Sequence, residues 1–305
     1  MVISPQAAER VRVHAPARTF VQLPFWIGVD KKIYEAHGLN IEPIVMASPI
    51  AVAALARGEI DFLTTGDSAA NAIVRGFKFK IIFIYGAHNL FSLMVTPDIR
   101  KPEDLKGKKI GVTSFGGSSH FSAAKAIAFL GLDPNRDVTI LQVGGGAARM
   151  LAMESRAISG APLAPPETEI VKERFGAWPI VANDNEILSS EPSTTGLLTS
   201  ESTLASKPDL VKRMVQATAN SVRFVNDERN EEELIRLIQN GWKLSRSVAL
   251  ASLRSVRRLY DARDIPSDAV QRALIQLQRE RYKIPREVRP EEVFDLNVAR
   301  SLVTK

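Results

Sequence analysis

The sequence predicts a two-lobe α/β fold in which each lobe is a sheet flanked by helices and a helical C-terminal part packs on the first lobe. Three observations lead to this prediction. Strand and helix patterns alternate from the start of the chain, the alternation restarts near Phe91, and long amphipathic helices follow from about Pro208. The chain has 305 residues, and single hydrophobic cores stop growing at about 250–300 residues. Two lobes are therefore expected.

The first lobe is predicted from alternating or continuous apolar runs and from helical spacing that ends at glycine. Predicted strands are 11–15, 41–46, 60–64 and 80–85, and predicted helices are 25–36, 48–56 and 66–76. Ser48 fits the N-cap of the second helix and Pro49 its first turn. The continuous apolar run at 80–85 is typical of a strand buried on both faces of a parallel sheet.

The second lobe and the C-terminal part follow from the same rules. Predicted strands are 91–96, 109–113, 138–143 and 196–199, and predicted helices are 118–130 and 146–154, the latter opened by three glycines. Apolar residues then recur at helical spacing over 210–225, and Asn230 before three glutamates is a capped helix start. Further helices are predicted at 247–260 and 267–281. Their apolar faces require a partner, which the first lobe supplies.

Composition excludes several functional classes. The chain has no Cys, which removes disulfides, thiolate metal sites, iron–sulfur ligation and Cys nucleophiles. Lys and Arg number 40 against 34 Asp and Glu, a formal charge of +6. This excess favours anionic partners but is too diffuse to indicate nucleic acid.

The location of the protein is predicted from the start of the chain. No apolar run has the roughly 18–20 residues of a membrane-spanning helix, and no intact signal peptide is recognised. Residues 1–8 are similar to the stump of a removed secretion signal with an added Met. This predicts a periplasmic or membrane-anchored extracytoplasmic protein, whereas a native Met1 predicts a cytoplasmic one.

No motif for a metal, a nucleotide or a catalytic serine stands out. The four histidines, His14, His37, His88 and His120, lack metal-ligand spacing. Ser118, Ser119 and His120 diverge around a helix start, and the glycine pattern of a nucleophile elbow is incomplete. The triple glycine at 144–146 lacks the residues of a phosphate-binding loop. We therefore expect no cofactor and no metal.

Helix N-termini after strands form the remaining candidate site. Ligands of open α/β sheets sit outside the carboxyl ends of the strands, where backbone N–H groups and helix dipoles favour a negative charge. We expect aromatic residues such as Phe25, Trp26 and Phe115 to supply an apolar wall. Asp67 either binds an amino group of the ligand or caps its helix. The candidate ligand-binding residues are Gln22, Phe25, Trp26, Ser48, Thr65, Gly66, Asp67, Ser68, His88, Ser114, Phe115, Gly116, Gly117, Ser118, Ser119, His120, Pro165 and Thr194.

Five segments, spread over essentially the whole chain, resemble one protein family. They are residues 23–42, ALARGEIDF at 54–62, KPEDLKGKKIGV at 101–112, GLDPNRDVTI at 131–140 and SKPDLVKRMVQA at 206–217. The chain resembles solute-binding proteins of ABC importers, in the sulfonate/nitrate/taurine and thiamine-pyrimidine-precursor group. The family implies a two-lobe periplasmic-binding-protein fold of type II. It also implies hinge closure on a small anionic ligand, a membrane permease as partner, and a monomer.

The resemblance also implies lobe boundaries. The chain would cross between lobes near 88–92 and 191–196, so that lobe one comprises 1–90 and 195–305 and lobe two comprises 91–194. One segment departs from the family: the usual Gly-Glu-hydrophobic-Asp motif reads Ser155-Arg156-Ala157-Ile158. The ligand contact of that loop is therefore not carried over.

Two other functions are alternatives on a scaffold of this kind. A cytoplasmic enzyme on the same scaffold, decarboxylase, desulfinase-like or pyrimidine-related, would use His88 or His120, although the related chemistries rely on Cys residues that this chain lacks. A transcription-factor effector domain would need a DNA-binding helix-turn-helix, for which residues before Arg10 leave no room.

Overall fold

A computed structural model describes residues 8–86, 90–181, 195–263 and 265–303, without the side chains of 65–68, 181, 258 and 303. The described strands are β1 Glu9–Ala15, β2 Leu39–Val45, β3 Phe62–Thr65, β4 Phe79–Gly86, β5 Ser92–Val95, β6 Lys109–Val112, β7 Thr139–Gln142, β8 Gly160–Leu163, β9 Trp178–Val181 and β10 Thr195–Ser200. They form two five-stranded sheets, of order β2-β1-β3-β10-β4 and β7-β6-β8-β5-β9. The predicted α/β architecture with two sheets is confirmed.

Helices cover both sheets. Those before β10 are α1 Leu23–Asp30, α2 Ile33–Ala36, α3 Ser48–Ala56, α4 Gly66–Val74, α5 Ser118–Phe129, α6 Gly146–Glu154 and α7 Glu167–Phe175. Those after it are α8 Glu201–Ser206, α9 Pro208–Asn226, α10 Glu231–Trp242, α11 Arg246–Val256, α12 Asp268–Arg281, α13 Pro290–Val293 and α14 Asn297–Val303. The sequence patterns missed β8, α7, β9, α8, α13 and α14.

The position of β4 contradicts its predicted place inside a parallel sheet. It lies at the edge of the first sheet and pairs antiparallel with β10. The chain returns from the second sheet as β10, which inserts between β3 and β4. A methyl group at Gly196 would overlap the Phe83 carbonyl oxygen, so glycine permits this insertion. The apolar composition of β4 is satisfied by the C-terminal part, since Ile81 bridges to Phe294.

Two predicted helices are also divided. The helix predicted over 25–36 consists of α1 and α2, separated at Lys32, whose φ of 61° lies in the left-handed region. The helix predicted over 247–260 is α-helical only to Val256 and continues as a 3₁₀ turn over Arg257–Leu259. Apolar periodicity does not detect either change, because a single left-handed residue or a tightened last turn leaves the apolar spacing almost intact.

The C-terminal helices pack on the first sheet, as predicted. Leu210, Met214, Val215 and Val222 of α9 are buried in the same core cluster as the strands of that sheet. Helix α9 approaches α1 so closely that a methyl group at Gly28 would overlap Ser221 and Tyr34. The first sheet therefore holds the larger core.

The second sheet has cores on both faces. Leu93 and Val95 of β5 join one apolar cluster, whereas Met94 between them joins another. This follows from the period-two alternation of side chains along a strand. Within the described residues, no helix combines the length and apolarity needed to cross a bilayer.

Candidate functional site

A cavity with a volume of about 30 Å³ lies between the two sheets. Its walls follow the carboxyl ends of β1 and β6, the edge where open α/β sheets bind ligands. The lining residues are Pro16, Ala17, Thr19, Val21, Gln22, Ser48, Phe91, Thr113, Ser114, Gly117, Ser118, Ser119 and Arg149. The structure thus brings together Gln22, Ser48, Ser114 and 117–119 of the predicted set.

The first wall consists of the segment after β1 and the start of α3. Gln22 is buried, and its Oε1 accepts a hydrogen bond from the Thr19 hydroxyl at 2.9 Å. Ser48 is also buried and is the first residue of α3, one position after the observed N-cap, Ala47. Its hydroxyl makes no capping hydrogen bond in this structure, unlike the N-cap role that the sequence suggested.

The predicted aromatic wall belongs to the core of the first lobe. Phe25 is fully buried and packs edge-on against Trp26 at 5.1 Å between ring centroids. Trp26 is buried beneath the Arg18 guanidinium, 4.9 Å from the ring centroid. Neither ring lines the described cavity. Their apolarity serves packing, and the aromatic residue on the cavity wall is Phe91 instead.

The second wall is the turn between β6 and α5. Gly116 has a φ of 74°, which glycine adopts readily, and Gly117 is the N-cap of α5. The backbone N–H of Thr113 donates to the Ser119 hydroxyl oxygen at 2.9 Å, which fastens the turn to the helix. The N-terminus of α5, with Gly117, Ser118 and Ser119, therefore forms part of the cavity wall.

Phe115 and His120 lie beside this turn but not on the described cavity wall. Phe115 is exposed, and its ring stands edge-on to His120 at 5.5 Å. The backbone N–H of Gly116 donates to His120 Nδ1 at 3.4 Å. Burial, and secondarily the Arg281 charge, lower the pKa of His120. A neutral imidazole engaged with its own turn fits a structural role.

Arg149 is the charged residue among the cavity residues that the sequence interpretation missed. It projects from α6, is 2% exposed, and donates from Nη1 to the Pro162 carbonyl oxygen. Its Nε has no hydrogen-bond partner among the described residues, and its guanidinium lies 6.0 Å from the Phe91 ring centroid. Burial lowers the pKa of Arg149 to about 10, so it is still charged at neutral pH. The sequence signal was a lone Arg in a helix of small and apolar residues after three glycines.

Glu167 lies behind Arg149, at the start of α7. Its carboxylate faces Gly146 so closely that a methyl group there would overlap it. Burial raises the pKa of Glu167 to about 7, against the opposing effects of its own backbone N–H and of Arg149. The preceding Pro165, a predicted site residue, is buried, joins Pro166 through a cis peptide bond, and does not line the described cavity.

Some predicted site residues cannot be placed. His88 and Thr194 lie outside the described residues. Only the backbone is described for Thr65, Gly66, Asp67 and Ser68. The backbone shows that β3 ends at Thr65 and that α4 begins at Gly66. In the part of the chain that is described, no three His, Asp or Glu side chains are grouped as metal ligands.

Comparisons with known proteins identify the family and the fold. The model of the NMT1-like family matches residues 18–239, well over half of the chain. No curated protein matches the sequence significantly. Among solved structures, the alkanesulfonate-binding protein SsuA from Xanthomonas axonopodis pv. citri, bound to MOPS, has a TM-score of 0.76 at 17% identity, covering 95% of this chain and 99% of that one.

Two other solved structures share this architecture. The periplasmic nitrate-binding protein NrtA from Synechocystis PCC 6803 has a TM-score of 0.77 at 12% identity, covering 98% of this chain and 88% of that one. The desulfurization enzyme DSZB has a TM-score of 0.68 at 12% identity, covering 97% and 99%. At these identities the similarity concerns the fold, which occurs in both binding proteins and an enzyme.

Proposed function

The chain belongs to the NMT1-like family, and on this premise we propose that it is the solute-binding component of an ABC importer. The observation that carries the proposal is a single cavity walled by residues of both sheets, at the carboxyl ends of β1 and β6. A solute held there contacts both sheets only when they are close together. Binding therefore favours a closed arrangement over an open one.

The size of the cavity supports such a closing motion. Its volume of about 30 Å³ is far below the roughly 300–1,000 Å³ of pockets for drug-sized ligands. An organic solute therefore fits only when the lobes lie farther apart than they do here, and they close on it as far as its size allows. We propose that lobe one comprises 1–90 and 195–305, that lobe two comprises 91–194, and that the hinge lies in the two segments between them.

The chemistry of the walls favours a small anion. The α5 N-terminus, the hydroxyls of Ser48, Ser114 and Ser118, and the Arg149 guanidinium all favour negative charge. The solute class we propose is a sulfonate, a nitrate-like anion, or an aromatic or aliphatic carboxylate. The ligands after which the two similar binding proteins are named, an alkanesulfonate and nitrate, belong to this class.

The rest of the proposal concerns partners and location. As an importer component, the protein would work outside the cytoplasm as a monomer and hand its solute to a membrane permease. An enzyme on the same fold is not favoured, because an alkanesulfonate-binding and a nitrate-binding protein share this fold. The desulfurization enzyme shows that the fold also supports catalysis, so the test below includes recovery of the compound.

A thermal-shift screen tests the function. The panel contains alkanesulfonates, nitrate, aliphatic and aromatic carboxylates, pyrimidines and amino acids at matched ionic strength. A solute at about 100 times its Kd stabilises the protein by about 2.7 kcal/mol, which corresponds to several degrees of Tm. We expect one anionic class to raise Tm and to be recovered unchanged. No shift with any compound, or a consumed compound, contradicts the proposal.

Substitution of a cavity serine tests whether the solute binds in this cavity. Ser118→Ala removes a hydroxyl from the wall, and we expect the solute Kd to rise by roughly threefold to tenfold, the effect of about 1 kcal/mol from one hydrogen bond. Ser155→Ala is the matched control, since Ser155 is exposed at the far end of α6. Equal affinities of both variants, measured by calorimetry, would move the site elsewhere.

A further inference from the structure

We propose that Arg149 binds the anionic head group of the solute, and that this head group is a single oxyanion such as a sulfonate or a carboxylate. The inference rests on the proposed function and specifies which atoms of the cavity recognise the solute. It follows from the hydrogen bonding of Arg149 and from the position of Glu167.

The guanidinium of Arg149 is charged, buried and short of acceptors. Arg149 is 2% exposed, and a buried charge is unfavourable unless it is paired and hydrogen-bonded. Its one described hydrogen bond goes to the Pro162 carbonyl oxygen, and its Nε has no partner among the described residues. No described carboxylate lies within ion-pair distance of it. An oxyanion in the adjoining cavity supplies the missing acceptors.

Glu167 explains why the second glycine-rich helix start does not hold the solute. Its carboxylate lies against Gly146, the first residue of α6, where an anion interacts favourably with the helix dipole. The chain thus fills that position with its own side chain. The start of α5 differs, because its residues Gly117 and Ser118 line the cavity.

The two anion-binding features converge on one cavity. Arg149 and the N-terminus of α5 lie on the wall formed by the second sheet and its helices. Gln22 and Ser48 lie on the opposite wall. A bound oxyanion therefore receives charge-assisted hydrogen bonds from one wall and contacts the polar groups of the other. A neutral analogue of the same shape leaves the guanidinium without a charged acceptor. We therefore expect strong discrimination in favour of the charged solute.

The test uses the full chain and small anions that represent the head group alone. The probes are methanesulfonate, acetate and nitrate, with dimethyl sulfone and acetamide as neutral analogues of the first two. Binding is followed by calorimetry and by Tm at constant ionic strength, which removes screening differences. The variants are Arg149→Gln and Arg149→Lys. The control is Arg156→Gln, which removes the same charge from an exposed residue paired with Asp98 at 2.6 Å.

We expect at least one of the three anions to bind the wild type, while the neutral analogues do not. Arg149→Gln should raise the Kd of that anion at least roughly tenfold, Arg149→Lys should recover part of the loss, and Arg156→Gln should leave it within about twofold. If Arg149→Gln fails to fold because the buried Glu167 carboxylate loses a nearby positive charge, Arg149→Gln/Glu167→Gln removes both charges and takes its place. Circular dichroism checks the fold of each variant.

The outcomes separate this inference from the proposed function. Equal affinities of the Arg149 and Arg156 variants, or no binding of any anion probe to the wild type, overturn the role of Arg149. If a larger neutral solute nevertheless binds in the screen, the transport function stands. If an anion probe binds through Arg149 but the bound compound is consumed rather than recovered unchanged, the inference stands and the proposed function falls.

Discussion

Burial changes the protonation of single side chains on both sides of the cavity. It lowers the pKa of Arg149 to about 10 and raises that of Glu167 to about 7. On the first sheet, His14 is fully buried in β1, and its Nε2 lies 3.0 Å from the Met46 carbonyl oxygen as a donor. Burial lowers the pKa of His14 to about 4. These values are properties of position, since none of the three residues belongs to a recognised titrating motif.

His14 should make stability depend on pH. Its folded pKa of about 4 lies below the unfolded value of 6.5, so the native state binds fewer protons there. Its contribution is therefore complete above about pH 6.5 and is lost as the pH falls toward 4. Between pH 7.5 and 4.5, we expect the wild type to lose roughly 2–3 kcal/mol more unfolding free energy than His14→Gln. Denaturant titrations at both pH values check this, and parallel losses would contradict it.

At the scale of elements, the ends of helices distinguish binding positions from filled ones. Helix α5 begins with a cavity-facing turn fastened by the Thr113 to Ser119 hydrogen bond at 2.9 Å. Helix α6 begins against the buried Glu167 carboxylate. Both helices begin with a glycine-rich segment, yet only the N-terminus of α5 lines the cavity.

The contact between Gly146 and Glu167 can be tested by a double-mutant cycle. Gly146→Ala should destabilise the protein by about 1–3 kcal/mol, because the three atoms nearest to the new methyl group all belong to the Glu167 side chain. In a Glu167→Ala background the same change should be neutral or slightly stabilising, since Ala is favoured in helices. Denaturant unfolding of the four proteins gives the coupling energy. Additive effects would show that Glu167 does not fill this position.

At the scale of the whole molecule, helices that flank the two sheets also contact each other away from the cavity. Phe121 of α5 stands edge-on to Tyr282, just after α12, with 5.9 Å between ring centroids. The Arg281 guanidinium lies 3.8 Å from the Phe121 ring centroid. We call Phe121, Arg281 and Tyr282 the Phe121 clasp. It joins a helix of the second sheet to the C-terminal helices of the first, so it is made only when the lobes are close.

The clasp should strengthen solute binding without touching the solute. An aromatic pair and a cation–π contact together contribute about 1–2 kcal/mol. On the proposed closing motion, Phe121→Ala should therefore raise the Kd of the anion probe that binds the wild type by roughly 5–30-fold and increase the radius of gyration in X-ray scattering. Phe129→Ala, on an exposed residue of the same helix, is the control. Identical Kd values for the two variants would show that closure does not depend on the clasp.

Local patterns and tertiary contacts determined different parts of this protein. Apolar periodicity and glycine or proline signals located most helices and strands, including the starts of α9 at Pro208 and α5 at Ser118, because these depend on neighbours a few residues apart. The chain length and the restart of the alternation predicted two lobes, and the family resemblance of segments such as 101–112 implied the same. The same patterns placed Gln22, Ser48 and 117–119 on the cavity, since the carboxyl ends of strands meet at one edge.

What only the tertiary structure decided depends on residues distant in the chain. β4 is an edge strand because β10 returns from the second sheet to pair with it. Phe25 is core because α1 packs inward, whereas Arg149 reaches the cavity because its helix faces Phe91. Periodicity shows that a side chain is buried but not what it is buried against. The sequence by itself therefore determined most of the elements, and long-range packing decided which buried groups face the cavity.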